Sequence, residues 1–225
     1  MGIAENIETI RKNVGAVSGG RKIYLVAATK MNSAENVREA VAAGVDACGE
    51  NRAQEFLEKD ALGAYEGAEK HFIGHLQRNK VNKLVGRVDL IQSVDSAELL
   101  DLVDRAASML GVVQDVLIEI GIAGEAQKSG APPEALSALL EHASRRGALR
   151  VRGLMCVPPI QTVIGANRQY FAAMKQLFID NSKKIYDNVQ MEFLSMGMTD
   201  DYADAVAEGA NMIRVGSGIF GARGY

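Results

Sequence analysis

Short apolar runs alternate with helical patterns along most of the chain. The opening segment places Ile3, Ile7, Ile10 and Val14 on one face, and this spacing predicts an amphipathic helix. Several of the apolar runs that follow are continuous rather than alternating, which is typical of parallel strands covered on both faces. The predicted strands are Ile23–Ala28, Val45–Cys48, Phe72–Gly74, Leu90–Ser93, Val113–Ile120, Val151–Cys156, Met191–Leu194 and Met212–Val215.

Helical patterns with recognisable starts lie between these strands. Ser33 before Glu35, and Ser96 before Glu98, have the spacing of helix N-caps followed by acidic first turns. Roughly eight repeats of strand, loop and helix predict an α/β fold, a (β/α)8 TIM barrel preceded by an extra N-terminal helix. An open doubly wound sheet is the alternative, because the same alternation fits it. No linker interrupts residues 1–225, so we expect a single domain.

The composition argues against several classes of function. The net charge is −3 and the pI is about 5.7, so the chain lacks the positive charge that attracts nucleic acids or anionic membranes. No apolar run approaches the length of a membrane span, and the N-terminus carries acids where a signal peptide carries bases. Cys48 and Cys156 fall in predicted strands, which favours free thiols in a reducing compartment. We therefore expect a cytoplasmic protein without nucleic-acid or membrane partners.

Lys30 is the first candidate for chemistry, because it directly follows the apolar run 23–29. In a βα barrel the carboxyl ends of the strands face the catalytic mouth. Partial burial there disfavours the ammonium form and frees a nucleophilic amine, which suits Schiff-base chemistry. The alternative is a solvated lysine at the start of a loop. Lys80 and Lys83 compete for the role, but they lie in a helical pattern.

Two late turns rich in glycine and hydroxyl side chains indicate a phosphate site. Ser195-Met196-Gly197-Met198-Thr199 follows the seventh predicted strand, and Arg214-Val215-Gly216-Ser217-Gly218 follows the eighth. Barrel phosphate sites typically use the loops after these two strands, where freed backbone amides bind anions. A reactive amine together with a phosphate site predicts pyridoxal 5′-phosphate (PLP) as the cofactor.

The first of these turns also has a purely structural interpretation. Thr199 would be the N-cap of the next helix, and Asp200 and Asp201 would complement its dipole. If the turn instead binds phosphate, the two acids are expected to face away from it.

Arg214 lies within an apolar strand, where a guanidinium needs a planar or anionic partner. The structural alternative to a ligand is an ion pair with an acid such as Glu192 or Asp204. His75 is a further candidate, either as a general acid or base at the mouth or as a hydrogen-bonding residue of the barrel wall. The sequence shows no cluster with metal-ligand spacing.

The ordered set of motifs resembles the pyridoxal-phosphate homeostasis proteins. Besides Lys30 and the two late turns, the set includes Gly49-Glu50-Asn51-Arg52, the segment 72–80, and Gly153-Leu154-Met155. The match runs from about residue 20 to the C-terminus. That family is similar to the barrel domain of alanine racemase, so the resemblance implies a fold type III PLP-binding barrel with a covalent aldimine on Lys30.

The resemblance also implies the contacts of the cofactor. Arg214 would face the pyridine nitrogen, and Asn51, expected at the mouth of the first strand, would flank the ring together with Met155. Met31 stands where the family commonly has threonine, and Ser217-Gly218 replaces a Thr-Ala type of pair. The residues expected around the phosphate are Ser195, Gly197, Met198, Thr199, Gly216 and Ser217.

The expected function is PLP binding for homeostasis of the cofactor, by storage or delivery, with little or no turnover. A guanidinium stays protonated and has no proton to give to the ring nitrogen, so the pyridine stays neutral and is a weaker electron sink. A racemase also needs a second acid or base, which alanine racemase takes from an extra domain of the partner subunit, whereas this chain stops just after the barrel.

Two other functions stay open at this point. One is a small PLP-dependent amino-acid racemase that uses His75 or another mouth residue as its second base. The other is a cofactor-free Schiff-base aldolase. For the carrier, the expected partners are PLP-dependent apoenzymes, and the expected state is a monomer.

Overall fold

The computed structural model describes residues 2–124, 129–161, 163–184 and 186–221. Eight parallel strands form a closed barrel in chain order. The strands are β1 (Tyr24–Ala28), β2 (Ala47–Glu50), β3 (Glu69–Phe72), β4 (Leu90–Val94), β5 (Gln114–Glu119), β6 (Leu149–Met155), β7 (Val189–Ser195) and β8 (Met212–Val215). The α-helices are α1 (Ile3–Val17), α2 (Ala34–Ala42), α3 (Ala53–Ala61), α4 (Val81–Leu84), α5 (Ala97–Leu110), α6 (Leu136–Ser144), α7 (Arg168–Ser182), α8 (Tyr202–Ala207) and α9 (Ser217–Phe220). Short 3₁₀ helices precede α4 and α6, at Arg78–Lys80 and Pro133–Ala135.

Pairing between the first and last strands closes the barrel. Leu25 of β1 pairs with Ile213 of β8, while Val26 pairs on the other edge with Ala47 of β2. The eight strands pair in chain order and β8 pairs back with β1, and this closure excludes the open doubly wound sheet. The predicted (β/α)8 TIM barrel with an extra N-terminal helix is confirmed.

Apolar side chains separate into two layers. Most lie between the strands and the helices, where Phe56, Leu100 and Phe171 are fully buried. A smaller cluster of strand residues lies apart from that layer and fills the inside of the barrel. Its buried members are Val26, Ala47, Leu90, Leu117, Met155 and Met212.

Both serine N-caps are confirmed. The Ser33 side chain accepts a hydrogen bond from the amide of Asn36 at 3.2 Å, and the Ser96 side chain accepts one from the amide of Leu99 at 3.4 Å. These bonds satisfy amide groups that have no partner within the helix, so the local sequence sets where α2 and α5 begin.

The third strand differs from its prediction. It covers Glu69–Phe72 rather than Phe72–Gly74, because polar residues fill most of it and conceal it from a search for apolar runs. His71 is nevertheless fully buried, since both ring nitrogens have hydrogen-bonding partners. Gly74 lies beyond the strand, where a Cβ would be 2.3 Å from the carbonyl oxygen of Asn51.

The N-terminal helix supports the end of the barrel. It buries Ile7 and Ile10 and packs against α2, α8 and α9. Its Asn6 side-chain amide donates a 2.9 Å hydrogen bond to the carbonyl of Ile219 in α9. Within the described residues, no helix is both long enough and apolar enough to span a membrane.

The two cysteines are free and buried, as predicted from their positions. Cys48 lies in β2, and Cys156 directly follows β6. Burial raises the pKa of each thiol from 9.0 to about 12. Because the thiolate is the reactive form, these groups are inert packing residues.

Gly153 is required by the path of β6. Its φ is +142°, and an added Cβ would lie 1.9 Å from the carbonyl oxygen of Phe193 on β7. We expect Gly153→Ala to lower the free energy of unfolding by about 1 to 3 kcal/mol, because the neighbouring backbone must shift. Urea unfolding would measure this effect. Gly15→Ala in α1, where nothing lies within 4 Å of the added carbon, should leave stability unchanged or higher; equal losses at both positions would contradict the explanation.

Candidate functional site

Lys30 lies where the sequence predicts it, at the carboxyl end of β1. Lys30 directly follows the buried Thr29 and is itself half-buried at the rim of the barrel. The amide of Thr29 donates to the carbonyl of Gly49 at 2.9 Å, which continues the pairing of β1 with β2 up to the lysine. The chain therefore delivers Lys30 to the mouth from a fixed strand.

A buried network holds the residue before Lys30. The Thr29 hydroxyl donates to Glu50 Oε1 at 2.7 Å, and Lys59 Nζ donates to the Thr29 carbonyl at 2.7 Å. Lys59 also pairs with Glu50 at 2.5 Å, with both side chains almost inaccessible to solvent. Tyr65 completes the group through its hydroxyl, 3.3 Å from the same carboxylate oxygen. Burial, with the charge of Glu50, raises the pKa of Tyr65, so the phenol stays a neutral donor.

The residue after Lys30 is held as well. Met31 has a φ of +61°, a left-handed conformation that costs a non-glycine residue of order 1 kcal/mol or more. Its amide donates to Glu55 Oε2 at 2.8 Å, and that oxygen lies 3.8 Å from Lys59 Nζ. Hydrogen bonds therefore hold the residues on both sides of Lys30 in place. The sequence analysis used Glu50 as part of a motif but assigned no role to it, and it missed Lys59 and Glu55.

Arg214 is buried inside the barrel near the same mouth, with 4% of its surface exposed. Its Nη1 donates to Ser195 Oγ at 2.6 Å, and its Nη2 donates to the carbonyl of Cys156 at 2.8 Å. Among the described residues, no carboxylate lies within ion-pair distance of it, so the structural alternative of a pair with Glu192 or Asp204 is wrong. Glu192 pairs with Arg152 instead. Burial lowers the pKa of Arg214, but an arginine stays protonated over the physiological range.

The two late turns meet, as the barrel topology predicts. The Ser217 hydroxyl and the Gly218 amide each donate to Thr199 Oγ1 at 3.2 Å. Gly197 has a φ of +94°, and a Cβ there would be 2.6 Å from the Cβ of Ala205. Gly216 lies against Ala28 at the end of β1. The turns therefore come together beside the strand that carries Lys30.

One acid contradicts the expectation that both acids face away from the first turn. Asp201 Oδ1 accepts the amide of Met198 at 2.7 Å, and its Oδ2 accepts the side-chain amide of Asn167 at 2.8 Å. Helix α8 begins at Tyr202, so the interpretation of Thr199 as its N-cap is also wrong. The physical reason is that the free amide of the turn is satisfied by Asp201 itself.

Asn51 and Met155 occupy different parts of the mouth. Asn51 follows β2 rather than β1, which corrects its expected position. Its Oδ1 is buried and has no hydrogen-bond partner among the described residues. Met155 is the last residue of β6 and belongs to the apolar cluster inside the barrel.

A cleft of about 440 Å³ adjoins Asn51 and is also lined by His75 and Lys80. His75 is exposed there, so it forms no part of the barrel wall.

Glu119 is a buried acid at the mouth that the sequence analysis did not single out. It ends β5, pairs in register with Met155, and accepts the Ser129 hydroxyl at 2.6 Å. Burial raises the pKa of its carboxyl, an effect that the hydrogen bond from Ser129 and the nearby charge of Arg214 partly oppose. An acid within an apolar run was the signal that could have revealed it.

Comparison with known proteins agrees with this geometry. The family model for the alanine racemase N-terminal domain matches residues 2–224. A pyridoxal phosphate homeostasis protein of Aquifex aeolicus is 42% identical over 202 residues, covering 89% of this chain and 87% of that protein. Its counterpart in Pseudomonas aeruginosa is 36% identical over 228 residues, covering 99% of this chain and 96% of the relative.

A solved structure is similar over the same extent. PipY of Synechococcus elongatus, determined with PLP bound, superimposes with a TM-score of 0.86 at 34% sequence identity. The match covers 97% of this chain and 100% of that one. With relatives this similar along nearly its whole length, the chain belongs to the pyridoxal phosphate homeostasis proteins, which share the alanine racemase N-terminal domain.

Proposed function

We propose that this protein binds PLP and serves homeostasis of the cofactor by storing or delivering it. The relatives named as pyridoxal phosphate homeostasis proteins, and the PLP-bound structure of PipY, support the ligand and the role. The observation that carries the proposal in this chain is a lysine at the carboxyl end of β1 in the same mouth as a buried arginine without a carboxylate partner among the described residues.

Polar groups of the mouth fit PLP. The buried guanidinium of Arg214 is suited to donate to the pyridine nitrogen. Asn51 Oδ1 is a buried acceptor that has no partner in the described part of the protein. Met155 belongs to the buried apolar cluster inside the barrel, and we assign it to the side of the ring. We propose that Lys30 attaches the cofactor covalently through a Schiff base. When bound, PLP supplies an electrophilic aldehyde and a conjugated ring.

The phosphate is assigned to the two late turns. Thr199 and Ser217 supply hydroxyls, and Gly197 and Gly216 let the backbone come close. Met198 contributes by position only, because Asp201 already occupies its amide. The sixth residue implied by the resemblance, Ser195, has its hydroxyl shared between Arg214 and Gln92, so we assign it to Arg214 rather than to direct phosphate contact.

The chemistry of Arg214 favours a carrier over a racemase. A permanently protonated guanidinium holds the pyridine nitrogen unprotonated, which weakens the ring as an electron sink. We propose that turnover is slow or absent, that PLP-dependent apoenzymes receive the cofactor, and that the protein is a monomer.

Borohydride trapping tests the binding proposal. We expect the PLP-saturated protein to lose its Schiff-base absorbance on reduction and to carry one adduct, which peptide mapping places on Lys30. An adduct on Lys80 in place of Lys30 would contradict the assignment.

Incubation of the holoprotein with single amino-acid enantiomers in deuterated solvent tests whether the protein is a carrier or a racemase. We expect no sustained incorporation at Cα, and rapid incorporation would favour the racemase.

A further inference from the structure

A continuous chain of hydrogen bonds runs through the inside of the barrel, from Arg214 to the opposite face. Arg214 Nη1 donates to Ser195 Oγ at 2.6 Å, and Ser195 Oγ donates to Gln92 Oε1 at 2.7 Å. Gln92 Nε2 lies 3.0 Å from His71 Nδ1, and His71 Nε2 lies 3.1 Å from a carboxylate oxygen of Glu69. The chain crosses β8, β7, β4 and β3 and ends at the face away from Lys30.

Every hydrogen in this chain points in the same direction. A guanidinium has only donors, so Ser195 Oγ accepts a hydrogen bond from Arg214. The Ser195 hydroxyl in turn donates a hydrogen bond to Gln92 Oε1. The Gln92 amino group then donates to His71 Nδ1, which places the ring hydrogen on Nε2, facing Glu69. Gln92 Nε2 also lies 3.3 Å from the sulfur of Met212, a weak acceptor. If the Gln92 amide were flipped, its oxygen would face that sulfur and no hydrogen bond could form between them. The hydrogen-bond network therefore selects one tautomer of His71.

The chain is almost entirely withdrawn from water. Ser195, Gln92 and His71 are each 0% exposed, whereas the Glu69 side chain is 48% exposed. They share the inside of the barrel with the apolar cluster that contains Leu117 and Met155. Hydrogen bonds in such surroundings polarise one another, and leaving any member unpaired is costly. Apolar residues would fill the same space without that cost.

We propose that His71, Gln92 and Ser195 are positioning residues that fix the orientation of the Arg214 guanidinium, and that Glu69 anchors them from the opposite face. This inference rests on the proposed function, in which that guanidinium faces the ring of PLP. It extends the cofactor site from the mouth through the barrel. A structural role alone would affect stability but would not link His71 to cofactor binding.

Ser195→Ala and Gln92→Met each interrupt the chain of hydrogen bonds. A matched control is Ser93→Ala. Ser93 is also a buried strand serine, but its hydroxyl has no hydrogen-bond partner within the described ranges. We expect each cut to weaken PLP binding roughly tenfold, as for loss of one hydrogen bond to a charged group. The absorbance of the bound cofactor should also change. Ser93→Ala should leave affinity and absorbance as they are in the wild type.

Nitrogen NMR provides the readout that a structural role would not change. The protein has three histidines, so ¹⁵N-histidine labelling gives few signals, and His75 and His142 serve as references. In the cofactor-free wild type we expect His71 to carry its hydrogen on Nε2. Addition of PLP should shift its signals in the wild type and in Ser93→Ala, but not in the two variants with a cut chain.

The outcomes separate this inference from the proposed function. A hydrogen on His71 Nδ1 in the cofactor-free wild type would overturn the chain directly, even if a variant failed to fold. Unchanged affinity and an unchanged His71 response in a folded Ser195→Ala or Gln92→Met protein would overturn the positioning role. If borohydride still traps PLP on Lys30, only the inference falls. If no PLP is trapped in the wild type, the proposed function falls first.

Discussion

Lys59→Met is expected to lower the free energy of unfolding by about 3 to 5 kcal/mol, because it leaves Glu50 charged and buried without its partner. Glu50 has 1% of its side chain exposed and lies 2.5 Å from Lys59 Nζ. One of its oxygens, Oε2, already lacks a hydrogen-bond partner among the residues that the structure describes, so none of them offers a spare donor. Urea unfolding of the cofactor-free protein would measure the loss.

Two further variants separate charge from packing. Adding Glu50→Gln to Lys59→Met removes the unpaired charge and keeps an amide oxygen for Thr29 and Tyr65, so we expect about 1 kcal/mol or more of recovery. Lys70→Met breaks a more exposed pair with Asp60 and should cost less than about 1 kcal/mol. If Lys59→Met cost no more than Lys70→Met, the buried ion pair of Lys59 and Glu50 would not be a source of stability.

Lys30→Ala is expected to abolish the Schiff-base absorbance completely, because it removes the amine that we propose condenses with the aldehyde. We expect the free energy of unfolding of the cofactor-free protein to change by no more than about 1 kcal/mol, since the residue is half-buried at the rim rather than in the core. Absorbance titration with PLP and borohydride trapping would measure the chemical effect, and urea unfolding the structural one.

Lys80→Ala is the matched control for that experiment. Lys80 lines the cleft beside Asn51, so it tests whether another amine of the same mouth carries the cofactor. We expect its absorbance and its borohydride adduct to equal those of the wild type. Persistence of the Schiff-base signal in Lys30→Ala, together with its loss in Lys80→Ala, would reverse the assignment.

Local patterns predict most of the architecture. Continuous apolar runs reveal the parallel strands, and the last of them, Met212–Val215, agrees with the structure at both ends. Serine followed by an acid predicts where α2 and α5 begin. The contact between Thr199 and Ser217 also follows from the sequence, because neighbouring strands of a barrel bring the loops after them together.

Features that depend on distant partners were not predictable in the same way. The polar β3 was misplaced because the burial of His71 becomes favourable only with Gln92 on another strand. Lys59 looks like an exposed helical lysine until the fold puts Glu50 beside it. Likewise, the sequence places Asp201 near the turn, but only the backbone path shows that it occupies the amide of Met198.

Barrel closure has a consequence for biosynthesis of the protein. The strand that precedes Lys30 and the strand that contains Arg214 pair with each other, although most of the chain separates them in sequence. A ribosome-bound chain whose β8 has not yet been synthesised contains Lys30 but lacks Arg214 and the second of the two late turns. The proposed cofactor site is therefore complete only after synthesis of the last strand and closure of the barrel.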